Sequence, residues 1–351
     1  MGSDKRNLRV RAIKPSTESI NVNRKGSFMR KVNIILASLI LFGLMTDCNG
    51  NKSQNAADET QTGDEAHGIT MTLKVKDQVK FSLGGSLTAT VDWGDGSPVE
   101  TLTLTSNAEK YAHRYDKPAE YTVQITGENI TTFDGSDNGF GMTNIELNVP
   151  KLTYLRCEYN RLTTLDLSKT PALKKLVCFS NNLTSLDISK NTALEELFCD
   201  NNQLTSLDVS KNGKLIHLIC HDNQLTSLDV SKNNALINLA CENNQLKTID
   251  VSKNTALEQL SCSGNQLTSL VFKNHDKLDL INCENNQLSA QALNALFNSL
   301  SDGDYGARLT IRGNPGADDC DWSIAEEKGW SQEFIDRSGG DVDQSYIDDE
   351  E

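Results

Sequence analysis

Aromatic residues are scarce in this sequence: Phe, Trp and Tyr make up 6% of 351 positions, and all hydrophobic residues together 37%. So lean a composition disfavours a conventional globular core built on large rings and suits a stack whose interior is filled by aliphatic ladders. There is no glycine-rich phosphate loop and no Cys-x-x-Cys pair of the kind that holds zinc. Positive charge is also short: the net charge is −14, and residues 1–28 hold seven Lys or Arg against two acids, so the remainder is more acidic still. Such a chain is repelled by nucleic acid and by anionic membrane surfaces, which excludes nucleic acid as a partner. Solubility and an affinity for cationic partners remain as uses of the charge. Long hydrophobic runs are lacking too. The apolar stretch from Ile34 to Met45 is shorter than the roughly 20 residues a transmembrane helix needs.

That stretch reads as an address. Arg30 and Lys31 form a positive n-region after Met29, the apolar stretch follows, and a short polar stretch ends at Cys48. The pattern resembles a bacterial lipoprotein signal, with Met45 where that family has Leu and Asp47 where it has Gly, Ala or Ser. The resemblance implies a lipid on Cys48 and cleavage before it. Simple secretion and an uncleaved anchor are the alternatives. Residues 1–28 are then an over-called start or extension, 29–47 the signal peptide, and 48–68 a polar tether too poor in apolar residues to form a core.

Period-two alternation marks strands at Met71, Leu73, Val75, at Leu102, Leu104, and at Tyr121, Val123, Ile125. Asp95-Gly96 is a tight-turn signal, because Gly accepts positive φ. The set Trp93, Gly94-Asp95-Gly96, His113-Arg114-Tyr115 and Tyr121-Thr122-Val123 resembles the PKD (polycystic-kidney-disease-type) immunoglobulin-like domain, with Ala119 where the family has Gly. It implies a small β-sandwich spacer over 69–128, short by one or two edge strands, with no chemistry of its own. His113 reads as a packed structural residue rather than a metal ligand or base.

The main evidence is a repeat. Cysteines fall at 157, 178, 199, 220, 241, 262 and 283, every interval being 21. Around each runs the frame Leu-x-x-Leu-x-Cys-x-x-Asn-x-Leu, as in Leu194, Leu197, Cys199, Asn202, Leu204 or Leu236, Leu239, Cys241, Asn244, Leu246. Leu-x-Cys alternation makes a short strand whose apolar face a single repeat cannot bury, so neighbours stack in parallel at about 4.8 Å. Asn202 and its equivalents follow the strand, where a buried amide satisfies backbone groups freed by the bend. The cysteines replace an inward Leu and read as small buried hydrophobes; their side chains run parallel, which is wrong for disulfides. At 143–315 the chain resembles internalin-J-type cysteine-ladder leucine-rich-repeat proteins. That resemblance implies cell-surface attachment and a strand face that binds. A Leu-Pro-x-Thr-Gly wall-sorting motif is missing, which turns attention to a lipid at Cys48.

Solenoids need capped ends. Residues 129–150 hold a degenerate half-repeat (Ile130, Phe133, Ile145, Leu147), expected as an N-terminal cap to the repeats at 151–288. Residues 289–300 read as an amphipathic helix with Leu293, Leu296, Phe297 and Leu300 on one face. A strand at Leu309–Ile311 and a short helix from Ser323 to Lys328 complete a C-terminal cap at 289–335. An acidic tail fills 336–351. The expected fold is an α/β solenoid, mainly β: a right-handed leucine-rich-repeat solenoid with a parallel sheet, preceded by a PKD/immunoglobulin-like β-sandwich.

With the frame inward, three outward columns remain. They are Tyr154, Lys175, Glu196, His217, Asn238, Gln259, Leu280; then Arg156, Val177, Phe198, Ile219, Ala240, Ser261, Asn282; then Glu158, Phe179, Asp200, His221, Glu242, Ser263, Glu284. Val177, Phe179, Phe198 and Ile219 are expected as an exposed apolar cluster, and such clusters mark interaction sites. The ligand-binding expectation is Tyr154, Arg156, Val177, Phe179, Phe198, Asp200, His217, Ile219 and His221, with no catalytic residue, metal or cofactor. His217 and His221 make a candidate pH-sensitive patch, too far apart along a strand for one metal ion. Asp166, Asp187, Asp208, Asp229 and Asp250 form a carboxylate ladder, read either as a calcium site or as caps of their own turns, balanced by nearby lysines. The reading is a non-catalytic surface protein of the bacterial envelope, lipid-anchored and exposed on the outer membrane. Its partner is a protein on host or neighbouring cells. A glycan-binding accessory lipoprotein and an envelope hydrolase are the alternatives; no Ser-His-Asp set lies on the grid, and neither does a Trp platform for sugars.

Overall fold

The alternating segments fold as strands. The computed structural model describes residues 66–136, 141–303 and 307–332; the expected extension, signal, Cys48, most of the tether and the acidic tail lie outside the described residues. Eight strands come first: β1 (Gly68–Val75), β2 (Gln78–Gly85), β3 (Thr88–Asp92), β4 (Glu100–Thr103), β5 (Glu109–Arg114), β6 (Ala119–Thr126), β7 (Ile130–Asp134) and β8 (Met142–Asn148). They make one sheet of order β4-β3-β6-β1-β8 and a second run β5-β2-β7. Met71, Leu73, Val91, Val123 and Ile125 of the first share a buried core with Phe81, Leu83 and Phe133 of the second. The Phe81 ring lies 5.5 Å from Trp93 and 5.9 Å from Phe133.

The Trp-Gly-Asp-Gly segment turns as its sequence dictates. Gly94 has φ +76°, and a Cβ there would lie 2.2 Å from the Thr122 carbonyl oxygen, so only glycine fits. His113 stacks on Trp93 at 4.8 Å, its Nε2 lies 2.7 Å from Asp95 Oδ2, and the Tyr115 hydroxyl donates to the Trp93 carbonyl. His113 is a packed structural residue.

Segment 129–150 does more than cap the repeats. Its strand β8 pairs antiparallel with β1, and β7 pairs antiparallel with β2. These are the strands that 69–128 alone would lack. On its other edge β7 pairs in parallel with the first repeat strand, Phe133 opposite Leu155. One strand therefore closes the sandwich and opens the solenoid, and the boundary expected at 128/129 runs through shared sheets.

The solenoid strands are β9 (Tyr154–Arg156), β10 (Lys175–Val177), β11 (Glu196–Phe198), β12 (His217–Ile219), β13 (Asn238–Ala240), β14 (Gln259–Ser261) and β15 (Leu280–Asn282). Each pairs in parallel with the next in the repeat's register, as Leu176 with Leu197. Helix α1 (Ala290–Ser299) follows, then strand β16 (Arg308–Thr310), which pairs with β15, and helix α2 (Ser323–Glu326). The sheet runs unbroken from β16 through β9 to β7, β2 and β5. Ser289 caps α1 by accepting from Ala292 N, and Leu293, Leu296 and Phe297 bury its inner face. Trp330 donates its indole N–H to the Ser301 carbonyl and is buried at the closed end. No helix among the described residues is long and apolar enough to cross a membrane.

Two amide ladders hold the stack. After each strand one residue takes a left-handed conformation: Tyr159, Ser180, Asn201, Asp222, Asn243, Gly264, Asn285 and Gly313. The framework Asn comes next. Asn202 Oδ1 accepts from Leu183 N of the previous turn, and its Nδ2 donates to the carbonyls of Cys178, Cys199 and Asp200. The same pattern recurs at Asn181, Asn223, Asn244, Asn265 and Asn286. The second ladder, absent from the sequence expectations, is Asn191, Asn212, Asn233 and Asn254, each fully buried. Asn212 Nδ2 donates to the carbonyls of Ile188 and Asn191 one turn back. Thr170 begins this column, and His275 ends it with Nε2 3.0 Å from the Val251 carbonyl.

Candidate functional site

On the turns away from the strands, Asp166, Asp187, Asp208, Asp229 and Asp250 each accept from the N–H two residues on, as Asp208 Oδ1 does from Ser210 N at 2.9 Å. These hydrogen bonds, with the nearby lysines, hold all five carboxyls below the usual carboxylate range. Each carboxylate therefore caps its own turn. Among the described residues no group of three His, Cys, Asp or Glu side chains is placed to hold a metal ion.

The seven framework cysteines are free, fully buried thiols on the inner side of the strands. Burial pushes their pKa up, to about 12 at Cys283, so they are thiols rather than nucleophilic thiolates at neutral pH. They fill the interior as small buried side chains.

The three outward columns do share one face of the sheet, as the in-register pairs place them. Their exposure differs from expectation. Val177 is 0% exposed, Ile219 and Phe198 5%, and Phe179 7%. They form a second apolar cluster with Ala240 and the half-buried Tyr154, separate from the solenoid interior. The physical reason is the rung spacing: at about 4.8 Å, large side chains in one column lie against those above, below and diagonal to them. Lys175 adds cover, its ammonium 5.7 Å from the centre of the Phe198 ring and 5.4 Å from that of Tyr154. These apolar residues thus form a packed strip, with Val177 fully covered and no more than 7% of Phe179, Phe198 or Ile219 exposed.

Charge flanks the strip. At the sandwich end Arg156 donates from Nε and Nη2 to Glu158 Oε1 and lies 4.0 Å from Asp134 of β7. Glu158 is 1% exposed and its Oε2 has no hydrogen-bond partner. Burial raises its carboxyl pKa against the pull of Arg156, and burial lifts the Tyr154 phenol to about 12. Lys175 pairs with Glu196 at 3.1 Å. Further along, His221 Nδ1 is 2.7 Å from Asp222 Oδ2 and Nε2 is 3.6 Å from Asp200 Oδ2. Asp200 is 7% exposed, and burial raises its pKa. His217 is half-buried, and burial lowers its pKa. The two histidines belong to different surroundings rather than one patch: His221 is clamped by carboxylates, whereas His217 stands beside Glu196 and Lys175.

Three residues of this face escaped the sequence expectations. Asp134 and Asp222 contact grid residues from outside the three columns. Tyr159 is the third. It holds φ +53° where the other turns carry Ser, Asn, Asp or Gly, and its ring meets Phe179 edge-on at 5.0 Å while 42% of it is exposed. A bulky side chain in the left-handed region costs about 1–2 kcal/mol. The signal was in the repeat alignment: one Tyr in a column of small and polar residues.

These features define a cysteine-ladder leucine-rich-repeat solenoid joined to a β-sandwich. No family model and no curated protein matches the chain. Among solved structures it is similar to the functional domain of InlJ from Listeria monocytogenes, which includes a cysteine ladder. Identity is 30%, with 60% of this chain and 50% of that one covered and a TM-score of 0.44. It is also similar to an internalin, InlF, from Listeria monocytogenes (21% identity, 53% and 68% covered, TM-score 0.34). The leucine-rich repeat domain of APL1B gives 20%, 47% and 51%, and 0.40. The match spans half the length of the InlJ structure.

Proposed function

We propose that this protein is a non-catalytic binding protein of the bacterial cell surface, and that it recognises a protein partner on host or neighbouring cells through the strand face. One observation carries the reading. The apolar inward positions keep to Leu, Ile, Val, Phe or Cys, and the exposed turns repeat Ser-Leu-Asp-Val-Ser-Lys-Asn with small changes in the first five repeats. The outward strand columns change from rung to rung, running through Tyr, Lys, Glu, His, Asn, Gln and Leu in the first, and so do the positions bordering the strand, such as Thr153, Lys174, Glu195 and Ile216 before it and Tyr159, Ser180 and Asn201 after it. Exposed turns tolerate drift freely, so chemical diversity concentrated on the strand side points to recognition there. The sandwich, read as PKD-like, serves as spacer, and the lipid expected on Cys48 as anchor.

The test is adhesion of the full-length protein to cells pretreated in two ways. Loss after protease shaving of the target cells, with binding kept after periodate oxidation of their glycans, is the expected result. The reverse pattern would replace the protein partner with a glycan. Shaving the producing cells, natural chain against Cys48→Ser, checks anchoring: the variant is released to the medium if the lipid holds it.

A further inference from the structure

The third outward column has a second period. Glu158, Asp200, Glu242 and Glu284 stand on alternate rungs, so their carboxylates recur about every 10 Å, with Phe179, His221 and Ser263 between them. Three of the four are buried, at 1%, 7% and 8% exposure. Taking a carboxylate out of water costs several kcal/mol unless an opposite charge compensates it. Within the seven repeat strands the face holds two permanent cations, and both are engaged: Arg156 by Glu158 and Asp134, and Lys175 by Glu196. One rung on, Arg308 and Arg312 continue the first and third columns beside Leu280 and Glu284. His221 stands between Asp222 and Asp200. The face is therefore net acidic, while its middle column is the apolar strip of Val177, Phe198, Ile219 and Ala240. A fold selected for stability alone would place amides in that column, as it does in both interior ladders.

We propose that this row and strip together are the docking site of a cationic polypeptide segment of the partner. Its Lys or Arg ends meet Asp200 and Glu242, and its aliphatic parts lie on Phe198 and Ile219, with the Tyr159–Phe179 pair as the end wall. Charge complementarity selects this occupant: an acidic or neutral segment would bury the carboxylates further without compensating them. Burial already raises the carboxyl pKa of Asp200 and Glu158, and a docking cation would pull it down again. The inference rests on the strand-face reading above and specifies its partner.

Two probes test it on the full chain: polylysine, and a (Lys-Pro-Pro)n peptide whose polyproline II form spaces its lysines by about 9 Å. Binding is measured at about 0.15 M salt, where screening over roughly 8 Å suppresses the general attraction of an acidic protein. The strand-face double variant Asp200→Asn/Glu242→Gln is compared with Glu120→Gln/Glu128→Gln, an equal charge change on exposed sandwich positions. The strand-face pair should weaken binding by about tenfold or more, and the sandwich pair by less than about twofold. Equal losses mean bulk charge and overturn the proposal, as does failure of both probes to bind. Calcium binding removed by the strand-face pair, without peptide binding, overturns it in favour of a metal. Should the double variant not fold, the single Asp200→Asn takes its place. Cell adhesion separates the two readings. If Ser261→Arg abolishes adhesion while the strand-face pair leaves it intact, the strand face stands and the cationic segment falls. If neither affects adhesion, both fall.

Discussion

Asp200 and Asp208 belong to the same repeat and show two uses of one side chain. Asp208 sits on an exposed turn, recurs in five turns, and is held by Ser210 N–H. Asp200 sits on the strand face, is 7% exposed, and is replaced by Phe179 and His221 on the adjoining rungs. Hydrogen bonds lower the pKa of the first; burial raises that of the second. The turn carboxylate serves the fold. The strand-face carboxylate works against it, which is what the proposed binding role asks of a residue there.

The contrast can be broken most forcefully at a framework position. Asn202→Ala removes the acceptor of Leu183 N and the donor to three carbonyls, all buried. With unsatisfied buried groups costing about 1–3 kcal/mol each and partial relaxation, we expect a loss of roughly 3 kcal/mol in urea unfolding. A loss below about 1 kcal/mol would show that the ladder is dispensable. Next, Cys220→Ser keeps size and places a hydroxyl in an apolar column. The expected cost is about 2 kcal/mol, while the native thiol resists maleimide labelling until the chain unfolds.

On the strand face the sign reverses. Tyr159→Asn relieves a strained backbone and is expected to stabilise by up to about 1 kcal/mol, less what the ring contributes against Phe179, while weakening partner binding. A gain in stability with unchanged binding would make Tyr159 an accident of the repeat. The smallest effects are in pH dependence. The folded pKa of Asp208 lies below its unfolded value, so its contribution is present above the unfolded pKa and lost as pH falls through the folded one. For Asp200 the folded pKa is raised, so its penalty is complete above the folded pKa and vanishes below the unfolded one. Asp208→Asn should therefore lower the melting temperature at neutral pH, and Asp200→Asn should raise it. Both differences should shrink as pH falls, each across its own window. Shifts of the same sign would dissolve the comparison.

The solenoid was legible in the sequence because a 21-residue period leaves one consistent stacking, and the cysteines and framework asparagines fall where that period puts them; the capping helix was legible from its own amphipathic spacing. The dual role of β7 was not. Its pairing with β2 joins segments far apart in the chain, and local alternation carries no register across such a gap. Outward direction was legible for every grid residue, but exposure was not. Burial of Val177 or Glu158 depends on what the rungs above and below carry, a property of the column rather than of the residue. The second asparagine ladder was present as exact recurrence at 191, 212, 233 and 254, but a buried amide and a solvated turn asparagine look alike in a sequence.

The central claim is that the strand face alone recognises the partner. It is tested most directly by placing the same new side chain on each side of the solenoid and measuring cell adhesion and melting together. Ser261→Arg lies in the middle outward column between Ala240 and Asn282, and Asn234→Arg on an exposed turn away from the strands. The account predicts that both variants melt as the natural chain does and that Ser261→Arg alone loses adhesion, by about tenfold or more. Full adhesion by Ser261→Arg, or an equal loss from Asn234→Arg, would contradict it.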